Sequence, residues 1–355
     1  MPPTAHTLLV GSYAPADRPG IYAFAFDGVT GALTPLGATP LIANPSFLAV
    51  HPNRRWLYAV SETAQAVDGA PGAVWALRYD LAPWRLEPIN AQPSGGDHPC
   101  HLALDPSGRW LIVSNYTSGS LAVLPLGPDG ALGAMADHVQ HRGHGPHPER
   151  QEGPHAHSAA FAPGGRFVLV ADLGIDQILV YRFDASNGRL TAHTHAEARP
   201  GAGPRHLAFH PNGELVYVAN ELDSTVGVYA FDAAAGALRE RQVVETLPPG
   251  APANTVADIH LSPDAARLYV SNRGHNSLAV FAVAPDGRLA RMATPPCGGD
   301  WPRNFAVAPD GRFLIVANQY SGEVVVVPAL ESLPALGAPA ARAPVPGAAF
   351  VAFEG

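Results

Sequence analysis

Short apolar runs separated by turn residues follow one another along nearly the whole chain, and their order repeats. Residues 203–232, GPRHLAFHPNGELVYVANELDSTVGVYAFD, hold the clearest copy: three apolar runs of strand length with turns between them. The runs are rich in Val, Leu, Tyr and Ile and too short for helices, so they read as β-strands. Each unit has an apolar segment ending in Pro, a tight turn, a strand, one or two polar residues and another strand. The turn prolines are Pro52, Pro106, Pro163, Pro211, Pro263 and Pro309, spaced by 54, 57, 48, 52 and 46 residues. The turns read HPNRR, DPSGR, APGGR, HPNGE, SPDAA and APDGR. Pro fixes φ there, and Gly or Asn accepts the left-handed backbone. A third strand follows (LAVLPL, ILVYRFD, VGVYAFD, LAVFAV, VVVVPAL), then often a Gly-x-Leu element such as DGALG or AGALR. That element marks a fourth strand or its turn.

A period of about fifty residues built from four strands is the signature of a β-propeller blade. Six full units are visible. The N-terminal segment TLLVGSY…GIYAFAFDGVTGALTPL lacks a first strand, and the C-terminal VPGAAFVAFEG reads as a lone strand of that kind. Together they predict a seventh blade. The expected fold is all-β: one domain over residues 1–355, a seven-bladed β-propeller whose ring is closed by strands from both termini, which hides the sheet edges.

Aligning the units on the turn proline brings polar positions into register. Six residues before it stand Ser46, Cys100, His157, Arg205, Ala257 and Arg303; five before it stand Phe47, His101, Ser158, His206, Asp258 and Asn304. Nine after it stand Ser61, Asn115, Asp172, Asn220, Asn272 and Asn318; ten after it stand Glu62, Tyr116, Leu173, Glu221, Arg273 and Gln319. The turn pairs the first two strands as an antiparallel hairpin, so all four positions lie at one hairpin end and converge around the central channel. The register predicts that Arg205, His206, Glu221, Arg273, Arg303, His157 and Asp258 line a single mouth, with Asn304 and Gln319 as further substrate contacts. The repeated Asn reads as a structural cap. The variable Arg and Glu positions exceed what repeat packing requires, and they point to a ligand site.

Composition narrows the chemistry. The net charge is −8, all 22 basic residues are Arg, and there is no Lys. A net-acidic chain speaks against sequence-independent nucleic-acid binding. Without Lys there is neither Schiff-base chemistry nor a P-loop. Cys100 and Cys297 form no CxxC motif, so neither a disulfide framework nor a thiolate metal site is expected. The N-terminus lacks a signal-peptide pattern, and no apolar run spans a membrane. The expectation is a cytoplasmic protein, a monomer or weak dimer, with no membrane or nucleic-acid partner. Residues 138–158, HVQHRGHGPHPERQEGPHAHS, hold six histidines. Their spacing fits no zincin or deaminase signature, and the stretch reads mainly as an inter-blade loop, so neither a metal nor a cofactor is expected. His157, in register with Arg205, stands out from this stretch, with His155 its close rival. GxSxG, Walker A, HExxH and a dinucleotide fingerprint are absent.

The stretches GPRHLAFHPNGELVYVANEL, ADIHLSPDAARLYVSNR, PHAHSAAFAPGGRFVLVADLGIDQILVYRFD and PRNFAVAPDGRFLIVANQ resemble the seven-bladed propeller lactonases of the bacterial 6-phosphogluconolactonase type. That family includes fungal carboxy-muconate lactonising enzymes. The resemblance covers nearly the full chain, although the His-rich loop before Pro154 looks longer than usual. It implies hydrolysis of a sugar δ-lactone, or the related cycloisomerisation. The family's catalytic His, two Arg and Glu fall on His157, Arg205, Arg273 and Glu221. On these residue types the expected roles are Glu221 as general base on water and Arg205 and Arg273 polarising the lactone and holding its anionic substituent. His157 would donate to the ring oxygen or shuttle the proton. Arg303 and His206 suit a phosphate or a carboxylate. A muconate-type isomerase would use the same anion-binding residues but protonate carbon. A non-catalytic interaction propeller would need no Arg–Glu–His cluster.

Overall fold

A computed structural model describes residues 5–64, 72–330 and 336–354. Residues 1–4, part of the stretch read as lacking a signal peptide, lie outside the described residues. The described residues form seven four-stranded antiparallel sheets. Blade 1 begins at Leu48–Val50, blade 2 at Pro99–Leu104, blade 3 at Ala156–Phe161, blade 4 at Pro204–Phe209, blade 5 at Thr255–Leu261 and blade 6 at Pro302–Val307. Blade 7 takes its first strand, Ala348–Phe353, from the C-terminus and its next three, Ala5–Ser12, Pro19–Asp27 and Leu33–Pro40, from the N-terminus. Leu8 pairs with Phe353 and Val10 with Val351, so backbone hydrogen bonds rather than side-chain packing alone close the ring. Among the described residues, no helix is long and apolar enough to cross a membrane.

The cores lie between blades. Val216, Val218 and Tyr229 of blade 4 pack with Phe167, Leu169 and Val180 of blade 3, all at most 1% exposed. The recurrent Gly-x-Leu is a latch between neighbours. Gly130 and Gly236 have φ of 86° and 63°, and a Cβ on them would stand 2.4 Å from the Trp56 ring and 2.3 Å from the Phe167 ring of the preceding blade. Only Gly combines that backbone with that approach. The recurrent Asn closes the turn into the third strand: the Nδ2 of Asn115, Asn220 and Asn272 donates to the hydroxyls of Ser120, Thr225 and Ser277.

The first strands carry the feature that builds the site. Pro204 pairs with Asn220 and His206 with Ala219, leaving Arg205 as an unpaired bulge residue. The same shift leaves Cys100, His157 and Arg303 unpaired in blades 2, 3 and 6. Neighbouring residues of a regular strand face opposite sides. The bulge re-aims one of them.

Candidate active site

Glu221 sits at the centre of the mouth with its side chain only 5% exposed. Arg150 Nη2 donates to Oε1 at 2.6 Å, while Arg205 Nε and Arg273 Nη2 both lie 2.9 Å from Oε2. The Arg205 Nε–H does not point along that contact, so the pair is joined by charge rather than by a linear hydrogen bond. Arg205 and Arg273 are 2% and 4% exposed; Arg205 Nη1 also donates to the Ala257 carbonyl, and the same Arg273 Nη2 that meets Glu221 donates to the Val256 carbonyl. Burial penalises the Glu221 charge, yet Arg273, Arg205 and Arg150 together hold its carboxyl far below the usual carboxylate range. A carboxylate this acidic, with both oxygens engaged, is a poor proton acceptor. The general-base role expected of Glu221 therefore does not fit its surroundings. It is better placed to hold the guanidinium groups in position.

Arg150 comes from the His-rich loop, not from a blade. Gln151, fully buried, pins this loop by donating to Leu173 O at 2.8 Å and Asp176 Oδ1 at 2.7 Å. A Cβ on Gly174 would stand 1.9 Å from Gly153 O, so the loop lies directly on the blade 3 turn. The loop's histidines are separately engaged. His141 pairs with Asp172 at 2.5 Å, His138 and His144 contact backbone carbonyls, and His147 accepts from the Glu149 amide. Among the described residues, no group of three or more His, Cys, Asp or Glu side chains is arranged to hold a metal ion.

Across the mouth stands a second carboxylate. Glu62 Oε2 accepts from Tyr13 Oη at 2.8 Å and, in a very short contact, from Ser46 Oγ. No other donor of the described residues reaches the Glu62 carboxylate. Tyr13 is the blade 7 counterpart of Glu221: Ser12 pairs with Ala348 as Asn220 pairs with Pro204. Its ring lies 5.0 Å from the Arg303 guanidinium carbon. Arg303 makes no hydrogen bond or ion pair with the described residues, so its donors remain available. Ser46, Glu62, Cys100, His157, Arg205 and Arg303 share, with His206 and Asn304, one small cavity of about 10 Å³, close to the minimum that admits a single water.

His157 is 5% exposed, with Nδ1 4.0 Å from the Cys100 thiol. Burial, reinforced by Arg205, His206 and nearby arginines, keeps its imidazole neutral. His155 stacks on Tyr116 at 4.5 Å, contacts Tyr116 O at 3.0 Å and approaches Glu152 at 3.5 Å. Gln319 is half-buried, with an Oε1 that meets no donor among the described residues.

Asp258 departs from the expected mouth: it sits one step deeper and, with the groups that hydrogen-bond to it, plugs the channel. His206 and Asn304 line the small cavity beside Arg205 and Arg303 and reach from it to Asp258. Asp258 accepts from His206 at 2.7 Å, His260 at 2.9 Å, Asn304 Nδ2 at 2.6 Å and the Phe305 amide at 3.1 Å. Asn304 Oδ1 accepts from the Val351 amide of the closing strand. Below the plug, a cavity of about 650 Å³ runs to the turn prolines Pro263 and Pro309. It is lined mainly by Ala, Val, Leu and Phe. The bulges leave Arg205 and Arg303 unpaired, so each of them and the residue that follows it, His206 or Asn304, reach the same cavity.

Arg150, Tyr13 and Glu62 were not among the expected site residues. Glu62 shares the register of Glu221, and Tyr13 falls in that register once blade 7 is assembled. Arg150, in a loop outside the repeat, carried no signal.

The chain's likeness to known proteins agrees with this geometry. Residues 7–353 match the model of the family Lactonase, 7-bladed beta-propeller. The chain is 37% identical over 319 residues, 89% of each chain, to the 6-phosphogluconolactonase of Bacillus subtilis. It is 34% identical over 325 residues, 90% of this chain and 91% of the other, to that of Formosa agariphila. The solved structure of the periplasmic gluconolactonase of Pseudomonas aeruginosa superposes with a TM-score of 0.91 at 33% identity, covering 98% of this chain and 99% of that one. The protein belongs to the seven-bladed β-propeller lactonase family.

Proposed function

We propose that the protein hydrolyses an anionic sugar δ-lactone, with 6-phosphogluconolactone, opened to 6-phosphogluconate, the best-fitting substrate. The relatives named 6-phosphogluconolactonase support the substrate class. The observation that carries the reading is Arg303, a guanidinium at the mouth that has no hydrogen-bond or ion-pair partner among the described residues. Four guanidinium groups, Arg150, Arg205, Arg273 and Arg303, face two carboxylates, Glu221 and Glu62, at this mouth. Two positive charges are left over in a chain of net charge −8. Such a site favours an anionic ligand and the oxyanion that forms as water adds to the lactone carbonyl. In this reading Arg303 binds the phosphate or the oxyanion. Arg205 and Arg273, held by Glu221, complete the field, and neutral His157 offers an N–H to the departing ring oxygen.

The test is steady-state hydrolysis of 6-phosphogluconolactone and gluconolactone, each corrected for spontaneous opening. The phosphorylated lactone is expected to have the higher kcat/KM. Absence of catalysis on both, or turnover of a carboxy-muconate in their place, would overturn the proposal.

A further inference from the structure

We propose that Glu62, rather than Glu221, is the general base that activates the hydrolytic water, acting from the small cavity it shares with Arg205, Arg303 and His157. This inference rests on the lactone-hydrolysis reading. Three observations carry it. Glu221 has both oxygens committed to arginines, whereas the protein donors to Glu62 converge on Oε2 alone and leave Oε1 for a ligand. The shared cavity, about 10 Å³, has room for one water beside that carboxylate. Glu62 and Arg303 line the same cavity without forming an ion pair, which leaves space for a reacting group between a base and an oxyanion donor. Tyr13 positions both: its hydroxyl holds Glu62 and its ring lies against Arg303. Burial raises the Tyr13 phenol far above neutrality, so it remains a donor.

The chemistry balances without a further reagent. Glu62 Oε1 takes a proton from water as the water oxygen bonds to the lactone carbonyl carbon. The carbonyl π pair moves onto its oxygen, held by Arg303. The adduct then re-forms the C=O bond and expels the ring oxygen, which takes the proton back from Glu62. The product carboxylic acid ionises into solvent.

The test compares the wild-type chain with Glu62→Gln, Glu62→Ala and Tyr13→Phe. Glu62→Gln is expected to lower kcat by about 10²–10⁴-fold, the range of a general base. Its affinity for 6-phosphogluconate should stay within about twofold, because binding and proton transfer are separate losses. Formate should partly restore Glu62→Ala, an effect a purely structural carboxylate would not show. Tyr13→Phe, which keeps the carboxylate, is expected to lose less than Glu62→Gln. A Glu62→Gln enzyme within about tenfold of wild-type kcat sinks the assignment, as does a loss confined to KM or a failure of formate to rescue. A wild-type chain that opens no lactone sinks the functional reading itself. An active wild type with an active Glu62→Gln sinks Glu62 alone.

Discussion

Glu221→Gln removes one negative charge from between three guanidinium groups while keeping the side-chain volume. The contacts lie at 2.6, 2.9 and 2.9 Å, where each unit-charge attraction is worth roughly 6 kcal/mol at an effective dielectric near 20. Desolvation of the buried ions offsets much of this, so the gross sum is not the stability at stake. What the substitution changes is the pairing of Arg205 and Arg273, left buried at 2% and 4% exposure without a counter-charge. Breaking a buried pair in this way costs about 3–5 kcal/mol. Arg150 adds little, because its side chain is 35% exposed and water can replace the carboxylate. With an unfolding entropy of about 2.1 cal/mol/K per residue over 355 residues, a loss of about 4 kcal/mol lowers Tm by roughly 5 °C. Calorimetry together with lactone kinetics gives the decisive comparison. The expected outcome is a depressed Tm and a raised KM, with kcat falling less than in Glu62→Gln. A variant that melts within about 1 °C of wild type yet loses about a thousandfold in kcat would refute the reasoning. It would return the general-base role to Glu221.

Two further outcomes follow from the same mouth. Arg303→Met should reduce kcat/KM for the phosphorylated lactone by about 10–100-fold, the loss of a charge-assisted hydrogen bond, with little change in Tm because Arg303 has no hydrogen-bond or ion-pair partner among the described residues and Met can still pack on the Tyr13 ring; unchanged kinetics would remove Arg303 from substrate binding. Burial, helped by Arg205 and opposed by Asp258, pushes His206 down to about 4, and the unfolded value is about 6.5. Between these values the unfolded chain binds the extra proton, so His206 contributes stability that is complete above pH ~6.5 and lost as pH falls toward 4. Burial shifts His157 and His101 in the same direction, while Asp258 raises His260 and gives it the opposite sign. Tm should therefore drop through this window and His206→Asn should flatten the slope. A flat Tm from pH 7 to 4.5 would contradict it.

The blades were legible because their determinants are local. Turn chemistry at Pro211-Asn-Gly, apolar runs of strand length and the recurrent Gly-x-Leu specify each four-stranded unit, and the unpaired strands at the two termini specify the closing blade. The register of Arg205, Glu221 and Arg273 at one hairpin end was legible for the same reason: antiparallel pairing follows from a tight turn. The deeper placement of Asp258, joined to the mouth through His206 and Asn304, was not. A one-residue bulge decides how adjacent residues reach the channel, and the turn prolines carry no mark of it.

By itself, then, the sequence determined the repeat, the ring and the arginine-rich end of the channel. The tertiary structure alone decided how the charges are shared. It set Arg150 from an inter-blade loop against Glu221, and it brought Tyr13, just past the N-terminal strand, beside Glu62 and Arg303. The physical reason is that ion pairing depends on distances of a few ångströms between residues far apart in the chain. Ring closure and strand bulges set those distances, whereas the periodic pattern records only which residues share a blade.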